Sequence, residues 1–175
     1  FTSRVHKDTL EATGKFKVDI TDVPEATLAD AKTVMGYKVF VIDYNDMGAE
    51  KRWGAQAEEN FVGAVGSGVG VVATHSANNA FKGWTEYEKI LALLWRDGTG
   101  HGKFHPFDVV ALQGHPINKG ITVLKNHPDE LYHRLVPAAG ADYRVLLSAF
   151  SEPKTGGTGR HEPMGLVAQH GKGRI

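Results

Sequence analysis

Nine histidines give this sequence its clearest capacity for chemistry, and all except His6 lie between His75 and His170. Because imidazole titrates near neutral pH and binds metal ions, proton transfer or metal chemistry is expected in the later part of the chain. The sequence contains no cysteine. This excludes disulfide bonds, thiolate metal ligands and a cysteine nucleophile.

The sharpest local pattern surrounds His75. An apolar run over residues 69–74 predicts a buried strand that ends in small polar residues. Ligands of open α/β sheets bind beyond the carboxyl ends of strands, where a strand-to-helix turn raises its side chain into the crevice. His75 is therefore a candidate catalytic acid or base, and a histidine bonded to a neighbouring carbonyl is the structural alternative. Ser76 is a weaker candidate nucleophile, because the glycines that flank a serine in such a turn are missing.

Two asparagines and two aromatic residues follow this turn. Asn78 and Asn79 are candidates for hydrogen bonds to substrate hydroxyl groups, and Phe81 and Trp84 are candidates for stacking on sugar rings. The structural alternatives are a turn or helix cap for the asparagines and core packing for Trp84.

His101 and His105 are four residues apart. On a helix this spacing would place both imidazoles on one face, where they could chelate a metal ion. Gly100, Gly102 and Pro106 instead favour a loop or an extended segment, so the metal interpretation lacks its geometric support. His115 and His127 each precede a proline, which restricts them to extended conformations and predicts structural turns.

The segment Asp129-Glu130-Leu131-Tyr132 places paired carboxylates beside a phenol. Such a group can supply an acid, a base or a metal ligand. Its structural alternative is the first turn of a helix, where acidic residues complement the helix dipole. The dipole interpretation accounts for Asp129 as the cap of a helix, and at this point it leaves the roles of Glu130 and Tyr132 open.

A glycine-rich polar stretch over residues 151–164 superficially resembles a phosphate-binding loop. No Gly-Lys-Ser/Thr sequence opens a helix there, so no nucleotide cofactor is expected. In an extended segment, Arg160 and Glu162 would share one side and His161 would face the other. A solvated, mobile loop is the alternative interpretation.

The elements that must position these residues alternate between helices and strands. Helices are predicted over residues 4–13, 51–66 and 84–95, with a helix or loop over 27–32. Strands are predicted over residues 16–20, 38–44, 69–74, 107–112, 121–124, 145–150 and 164–169. This alternation indicates βαβ units and an α/β fold with a mainly parallel sheet in a three-layer sandwich.

Several segments together resemble one known family. They are THSANNAF, GHGKFHPFDV, HPINKGI, DELYHRL, GGTGRHEPM and HGKGRI, in this order along residues 4–175. The sequence is similar to the ThuA-like (trehalose utilisation) family, which implies a class I glutamine amidotransferase-like, flavodoxin-like fold. The amidotransferases carry a cysteine at the position that His75 matches, so an amidotransferase reaction is excluded here. The resemblance also implies that residues 1–175 form a single domain, a fragment of a longer chain that lacks its first strand and last segment.

The resemblance implies action on a carbohydrate, such as a (keto-)glucoside or disaccharide, as a sugar hydrolase, lyase or isomerase. In the expected mechanism His75 acts as acid or base with Glu130 as its partner, and Arg160 stabilises developing negative charge. His161 is a further candidate catalytic residue. The expected substrate-binding residues are Asn78, Asn79, His101, His105, Tyr132 and Glu162.

A divalent metal held by His75, His105 and Glu130 is a further hypothesis, since imidazole and carboxylate ligands suit zinc, manganese or nickel. Two other functions stay open: a non-catalytic carbohydrate-binding or sensing module, and a structural or oligomerisation domain.

Composition limits the partners. Apolar residues make up 41% of the chain and charged residues 23%, which is typical of a globular protein. Twenty basic residues balance 20 acidic ones, which argues against a nucleic-acid or membrane surface. The resemblance implies a small sugar-derived ligand as the partner, and a homo-oligomer is a further expectation. The composition fits a soluble protein, and the absence of cysteine is compatible with a cytoplasmic, a periplasmic or a secreted protein.

Overall fold

A computed structural model describes residues 2–47, 49 and 51–175. The chain divides into two compact units. The first runs to Phe81 and includes Gly171–Arg174, and the second comprises Lys82–His170 and Ile175.

Helices are confined mainly to the first unit. They are α1 (Thr2–Ala12), α2 (Pro24–Thr27), α3 (Ala31–Gly36), α4 (Ala55–Ser67) and, in the second unit, α5 (Thr85–Leu91). Short 3-10 helices occupy His75–Asn79, Pro116–Asn118 and Pro153–Thr155. Among the described residues, no helix is both long enough and apolar enough to cross a membrane.

Eleven strands complete the secondary structure of the described chain. They are β1 (Val39–Ile42), β2 (Gly70–Ala73), β3 (Leu93–Leu94), β4 (Gly100–His101), β5 (His105–Ala111), β6 (Val123–Asp129), β7 (Tyr132–His133), β8 (Val136–Pro137), β9 (Tyr143–Phe150), β10 (His161–His170) and β11 (Gly173–Arg174).

The first unit is built on a βαβ arrangement. Strands β1 and β2 pair in parallel from Val39↔Gly70 to Ile42↔Ala73, and α4 lies between them in the sequence. This helix buries Phe61 and Val65, as its apolar spacing predicts. Gly173 packs so closely against α4 that a Cβ atom there would lie 2.4 Å from the carbonyl oxygen of Val65.

The second unit is built on an antiparallel sheet. Its strands lie in the order β10-β9-β5-β6, and each neighbouring pair is antiparallel. Two short antiparallel pairs, β3 with β8 and β4 with β7, accompany it. Val109, Leu131 and Ala149 form the buried core on one face of the sheet, and Phe107 and Met164 pack against them.

The expected flavodoxin-like three-layer sandwich with a mainly parallel sheet is therefore wrong. Within the described residues, β1 and β2 form the parallel pair, and the other paired strands are antiparallel. Parallel pairing requires a long crossover, usually a helix. The connections from β5 to β6 and from β9 to β10 contain only single 3-10 turns, which suit antiparallel neighbours.

Two predicted elements also differ. The helix expected over residues 84–95 ends at Leu91, because Ala92 adopts a left-handed conformation with φ of 65° and the chain continues as β3. The strand expected over residues 16–20 is irregular. The Phe16 and Ile20 side chains are 47% and 46% exposed there, so no sheet covers them.

Candidate functional site

The predicted sharp turn at His75 is present in the first unit. Strand β2 ends at Ala73, and a 3-10 helix begins directly at His75. His75 has φ of 45°, a left-handed conformation that is uncommon for a residue other than glycine, and its side chain is exposed.

Polar groups collect beside this turn at the carboxyl ends of β1 and β2. The Thr74 hydroxyl donates to the Ile42 carbonyl at 3.2 Å and lies 3.4 Å from a carboxylate oxygen of Asp43. The Ser3 hydroxyl donates to the other Asp43 oxygen at 3.1 Å. Asp43 was not among the predicted site residues, although it directly follows the apolar run of β1.

The aromatic residues near the turn belong to the core. The Phe81 side chain is 0% exposed, and its backbone N–H donates to the buried Asp46 carboxylate at 3.1 Å. Trp84 is 6% exposed and stacks on Tyr87. Neither ring is available to a sugar, so the stacking hypothesis is wrong for both. Asn78 and Asn79 are partly buried in the 3-10 helix.

A second group of candidate residues comes together in the second unit. Strand β4 pairs with β7 so that His101 lies opposite Tyr132. The Trp95 ring meets the Tyr132 ring edge-to-face at 4.6 Å, and the His101 ring lies 6.0 Å from Trp95 and 6.2 Å from Tyr132. We call Trp95, His101, Glu130 and Tyr132 the Tyr132 cluster.

The hydrogen bonding of His101 determines which of its nitrogens carries a proton. Its Nδ1 atom lies 2.7 Å from the carbonyl oxygen of Gly102 and 4.0 Å from Oε1 of Glu130. A carbonyl only accepts, so Nδ1 is the donor and Nε2 of the neutral ring keeps its lone pair. The His101 and Glu130 side chains are 41% and 39% exposed, which leaves both open to a ligand.

Tyr132 is a proton donor in this environment. Burial raises the pKa of its phenol to about 12, with further contributions from the negative charges of Glu130 and Asp129. The phenol therefore stays protonated through the neutral pH range.

The two consecutive carboxylates have different histidine neighbours. Glu130 lies near His101, whereas Oδ2 of Asp129 lies 3.4 Å from Nε2 of His127. The predicted helix cap at Asp129 is wrong, because Asp129 is the last residue of β6 and no helix follows. Its Oδ1 instead accepts the backbone N–H of Glu130 at 2.8 Å.

His105 begins β5 directly opposite Asp129. Its Nδ1 atom donates to the Lys103 carbonyl at 2.7 Å, and its ring lies 5.4 Å from that of Phe107. The extended conformation expected for the 100–106 segment is confirmed, since β4 and β5 occupy most of it.

The glycine-rich segment forms a compact turn tied together by Ser151. The Ser151 side chain is 2% exposed, and its hydroxyl accepts the N–H of Thr158 at 3.0 Å. A Cβ atom at Gly157 would lie 2.5 Å from the Ser151 carbonyl carbon, so only glycine fits. The Thr155 carbonyl accepts the N–H of Lys103 at 2.8 Å, which joins this turn to the segment after β4.

His161 and Glu162, the first two residues of β10, lie on opposite faces of the sheet as their alternation predicts, and the side taken by Arg160 stays a prediction. Glu162 pairs with Ala149 on the core face, where its carboxylate accepts the Thr158 hydroxyl at 2.6 Å and the N–H of Arg134 at 3.3 Å. His161 lies on the opposite face, 3.3 Å from the Ser148 hydroxyl.

These contacts divide the predicted site residues of the second unit. His101, Glu130 and Tyr132 come together. The Glu162 carboxylate instead accepts the N–H of Arg134, the residue directly after β7. His161 is on the other face of the sheet, and Arg160 is exposed. The catalytic roles of His75, Arg160 and His161 stay predictions.

The remaining histidines have structural surroundings. His115 accepts the N–H of Ile117 through Nδ1, which confirms the predicted turn. His133 is 7% exposed because it packs against Gly100 in the β4–β7 pair. Its Nδ1 has no hydrogen-bond partner within the described residues.

The metal hypothesis gains no support from geometry. Across residues 2–47, 49 and 51–175, no three histidine, aspartate or glutamate side chains are placed to hold a metal ion. The chemistry discussed below therefore uses side chains alone.

Trp95 is the site residue that sequence reasoning missed. The apolar pattern placed it at the end of a predicted helix over residues 84–95. The helix ends at Leu91, and β3 then carries Trp95 to its position beside Tyr132. The available signal for a site residue in the sequence was that Trp95 is an aromatic residue directly before a polar segment.

Comparisons with known proteins agree with the sequence resemblance. Residues 2–175 match the ThuA family model, described as trehalose utilisation. A ThuA-like protein from Parabacteroides merdae is 29% identical with a TM-score of 0.83, over 99% of this chain and 71% of that one. A ThuA-like protein from Bacteroides uniformis is 18% identical with a TM-score of 0.69 over the same shares. No curated protein sequence matches. The chain thus belongs to the ThuA family.

Proposed function

We propose that this ThuA-family chain acts on a sugar-derived substrate, a (keto-)glucoside or disaccharide, by histidine-centred proton transfer in the Tyr132 cluster. One observation carries the proposal: an imidazole with a free Nε2, a protonated phenol, a carboxylate and an indole lie within one group of contacts.

The composition of the cluster suits a sugar. Pyranose rings present apolar C–H faces and polar hydroxyl rims, so they bind where aromatic rings adjoin charged or polar side chains. Trp95 and Tyr132 supply the rings, and Glu130 and His101 supply the polar groups. All four side chains are partly exposed, so a ligand can reach them.

The protonation states suit acid–base chemistry. Neutral His101 can accept a proton at Nε2 from a hydroxyl group or from a carbon beside a ketone. Glu130, 4.0 Å from the ring, then stabilises the imidazolium by charge attraction. Tyr132 can return a proton to an oxygen that gains negative charge.

This set of roles serves hydrolysis, elimination beside a ketone or isomerisation. An amidotransferase reaction through a cysteine is excluded, because the sequence has none. His75 lies in the first unit, and its predicted catalytic role is separate from this proposal.

A carbohydrate-binding module without turnover is the second candidate function. The openness of the cluster favours it, since His101 and Glu130 are about two-fifths exposed and their closest atoms lie 4.0 Å apart, beyond hydrogen-bond distance. Catalysis would require a substrate that closes over these groups.

The variant His101→Gln separates the two functions. Binding of trehalose and of a keto derivative of trehalose is measured by calorimetry, and conversion of each sugar is followed by NMR. Loss of a proton-transfer group lowers turnover by about 10²- to 10⁴-fold while binding persists. His170→Gln, a histidine outside the cluster, is the matched control.

Binding without turnover in the unaltered protein would support the module. If neither sugar binds, or if His101→Gln and His170→Gln behave alike, the proposal fails.

A further inference from the structure

We infer that Arg96, held by Glu88, is a positioning residue that sets the orientation of Trp95 in the Tyr132 cluster. The consequence for a sugar ligand rests on the proposed function, whereas the orientation itself can be tested in the ligand-free protein.

Arg96 lies between a helix and the chain segment that carries Trp95. Its Nε and Nη2 atoms donate to Oε1 of Glu88 on α5 at 3.0 and 2.8 Å. Its Nη1 atom donates to the carbonyl oxygen of Trp95 at 2.6 Å. One planar guanidinium thus fixes the Trp95 backbone relative to α5.

Both partners of this pair are shielded from water. The Arg96 side chain is 11% exposed and that of Glu88 is 24% exposed. The same Glu88 oxygen also accepts the backbone N–H of Gly83 at 3.0 Å. A carboxylate that is fixed from several directions holds the guanidinium in one orientation, which an exposed ion pair does not do.

A second connection runs from the backbone of Arg96 to β7. The Arg96 N–H donates to the Thr99 hydroxyl at 3.1 Å, and that hydroxyl donates to the carbonyl of Arg134 at 3.1 Å. Arg134 directly follows β7, the strand that carries Tyr132. Arg96 is therefore connected to the Trp95 carbonyl directly and to the residue after β7 through Thr99. These bonds favour the edge-to-face contact between the Trp95 and Tyr132 rings.

The contacts of Arg96 depend on the shape of its side chain, because its Nε, Nη1 and Nη2 atoms reach two acceptors that lie in different directions. These acceptors are Oε1 of Glu88 and the carbonyl oxygen of Trp95. Lysine has one nitrogen on a flexible stem and cannot make both contacts with the same geometry. Arg96→Lys therefore keeps the positive charge beside Glu88 and releases the Trp95 carbonyl.

Fluorine NMR of protein labelled with 5-fluorotryptophan tests the orientation directly. The protein has three tryptophans, and Trp95→Phe assigns the resonance of interest. Arg96→Lys and Glu88→Gln are each expected to shift or broaden the Trp95 resonance and to leave that of Trp53 unchanged. Lys82→Gln, which removes an exposed ion pair with Asp97 in the same turn, is the matched control and should leave Trp95 unmoved.

The double variant Glu88→Gln/Arg96→Lys should shift the Trp95 resonance by less than the sum of the two single-variant shifts, because the two residues act as one unit. An unchanged Trp95 resonance in both single variants would overturn the inference. So would equal shifts of Trp53 and Trp95, since these would report general loosening of the fold.

A ligand titration distinguishes this inference from the proposed function. With trehalose as probe, Arg96→Lys should weaken binding or raise KM by about tenfold with kcat unchanged. If the unaltered protein binds neither trehalose nor its keto derivative, the proposed function fails, and the ligand-free spectra still decide the inference.

Discussion

The Nδ1 atom of His101 lies 2.7 Å from the carbonyl oxygen of Gly102 and 4.0 Å from Oε1 of Glu130. The carbonyl fixes the tautomer and the orientation of the ring, and the carboxylate supplies a negative charge near it without a hydrogen bond. This arrangement leaves Nε2 of the neutral His101 ring with its lone pair. The negative charge of Glu130 also contributes to the raised pKa of Tyr132.

Glu130→Gln should lower the pKa of Tyr132. Burial is the main cause that raises this pKa to about 12, and the Glu130 charge adds to it, so removal of the charge moves the pKa toward its ordinary value of 10. The absorbance change near 295 nm, taken as the difference between each protein and its Tyr132→Phe counterpart, measures the ionisation. Glu59→Gln, an exposed carboxylate on α4, is the control.

The raised pKa of Tyr132 also predicts that the free energy of unfolding depends on pH. The Tyr132 pKa is higher in the folded than in the unfolded chain, so its contribution to the free energy of unfolding is full below about pH 10 and is lost as pH rises towards 12. Tyr132→Phe should therefore lose less stability over that interval. A Tyr132 that ionises near pH 10 in the folded protein would contradict this account of the cluster.

Acid should weaken the contact between Glu88 and Arg96. Burial raises the pKa of Glu88, but the N–H of Gly83 and the guanidinium of Arg96 outweigh it and hold the pKa below 4.5. Its contribution to stability is present above about pH 4.5 and is lost as pH falls through the folded-state pKa. Urea unfolding at about pH 6 and pH 3 should show a smaller acid loss in Glu88→Gln than in the unaltered protein, and equal losses would refute the prediction.

The sequence predicts the first unit better than the second, for a physical reason. The apolar runs of β1 and β2 are separated by the amphipathic helix α4, and this order implies parallel pairing and the turn at His75. In the second unit, β5 and β9 have equally apolar sequences, but antiparallel pairing comes from their short connections. Side-chain periodicity alone does not contain that information.

The candidate site was predictable in part. Residue types left structural alternatives open for the DELY and Arg160-His161-Glu162 segments, and the family resemblance is what singled out Glu130, Tyr132 and Glu162. Trp95 was missed because Ala92, with φ of 65°, ends the preceding helix without a glycine or proline to signal it. The burial of His133 depends on Gly100 in the partner strand, a contact between residues far apart in the sequence.

Asn118→Ala should destabilise the second unit by about 2 kcal/mol. The Asn118 side chain is 2% exposed, and its amide nitrogen donates to the carbonyls of Leu112 and Leu146 at 2.7 and 2.8 Å. Alanine leaves both acceptors without this donor. Gln113→Ala removes similar bonds from an exposed side chain and should cost about 0.5 kcal/mol or less, as measured by urea unfolding. Equal costs for the two variants would be inconsistent with the prediction.

Gly157→Ala should disrupt the turn that Ser151 holds. The new Cβ atom would lie 2.5 Å from the Ser151 carbonyl carbon, and relief of this overlap costs about 1–3 kcal/mol. Gly63→Ala in α4 is the control, because nothing lies within 4 Å of its Cβ position and alanine favours a helix. The free energy of unfolding should fall for Gly157→Ala and stay equal or rise for Gly63→Ala, and the opposite order would count against the turn described here.

A crystal structure of the protein soaked with a keto derivative of trehalose tests the central claim most directly. The account predicts a sugar ring in van der Waals contact with Trp95 or Tyr132, about 4 Å from the aromatic carbons, and a sugar oxygen or acidic C–H within about 3.5 Å of Nε2 of His101. A sugar bound elsewhere, with the Tyr132 cluster left free, would contradict it.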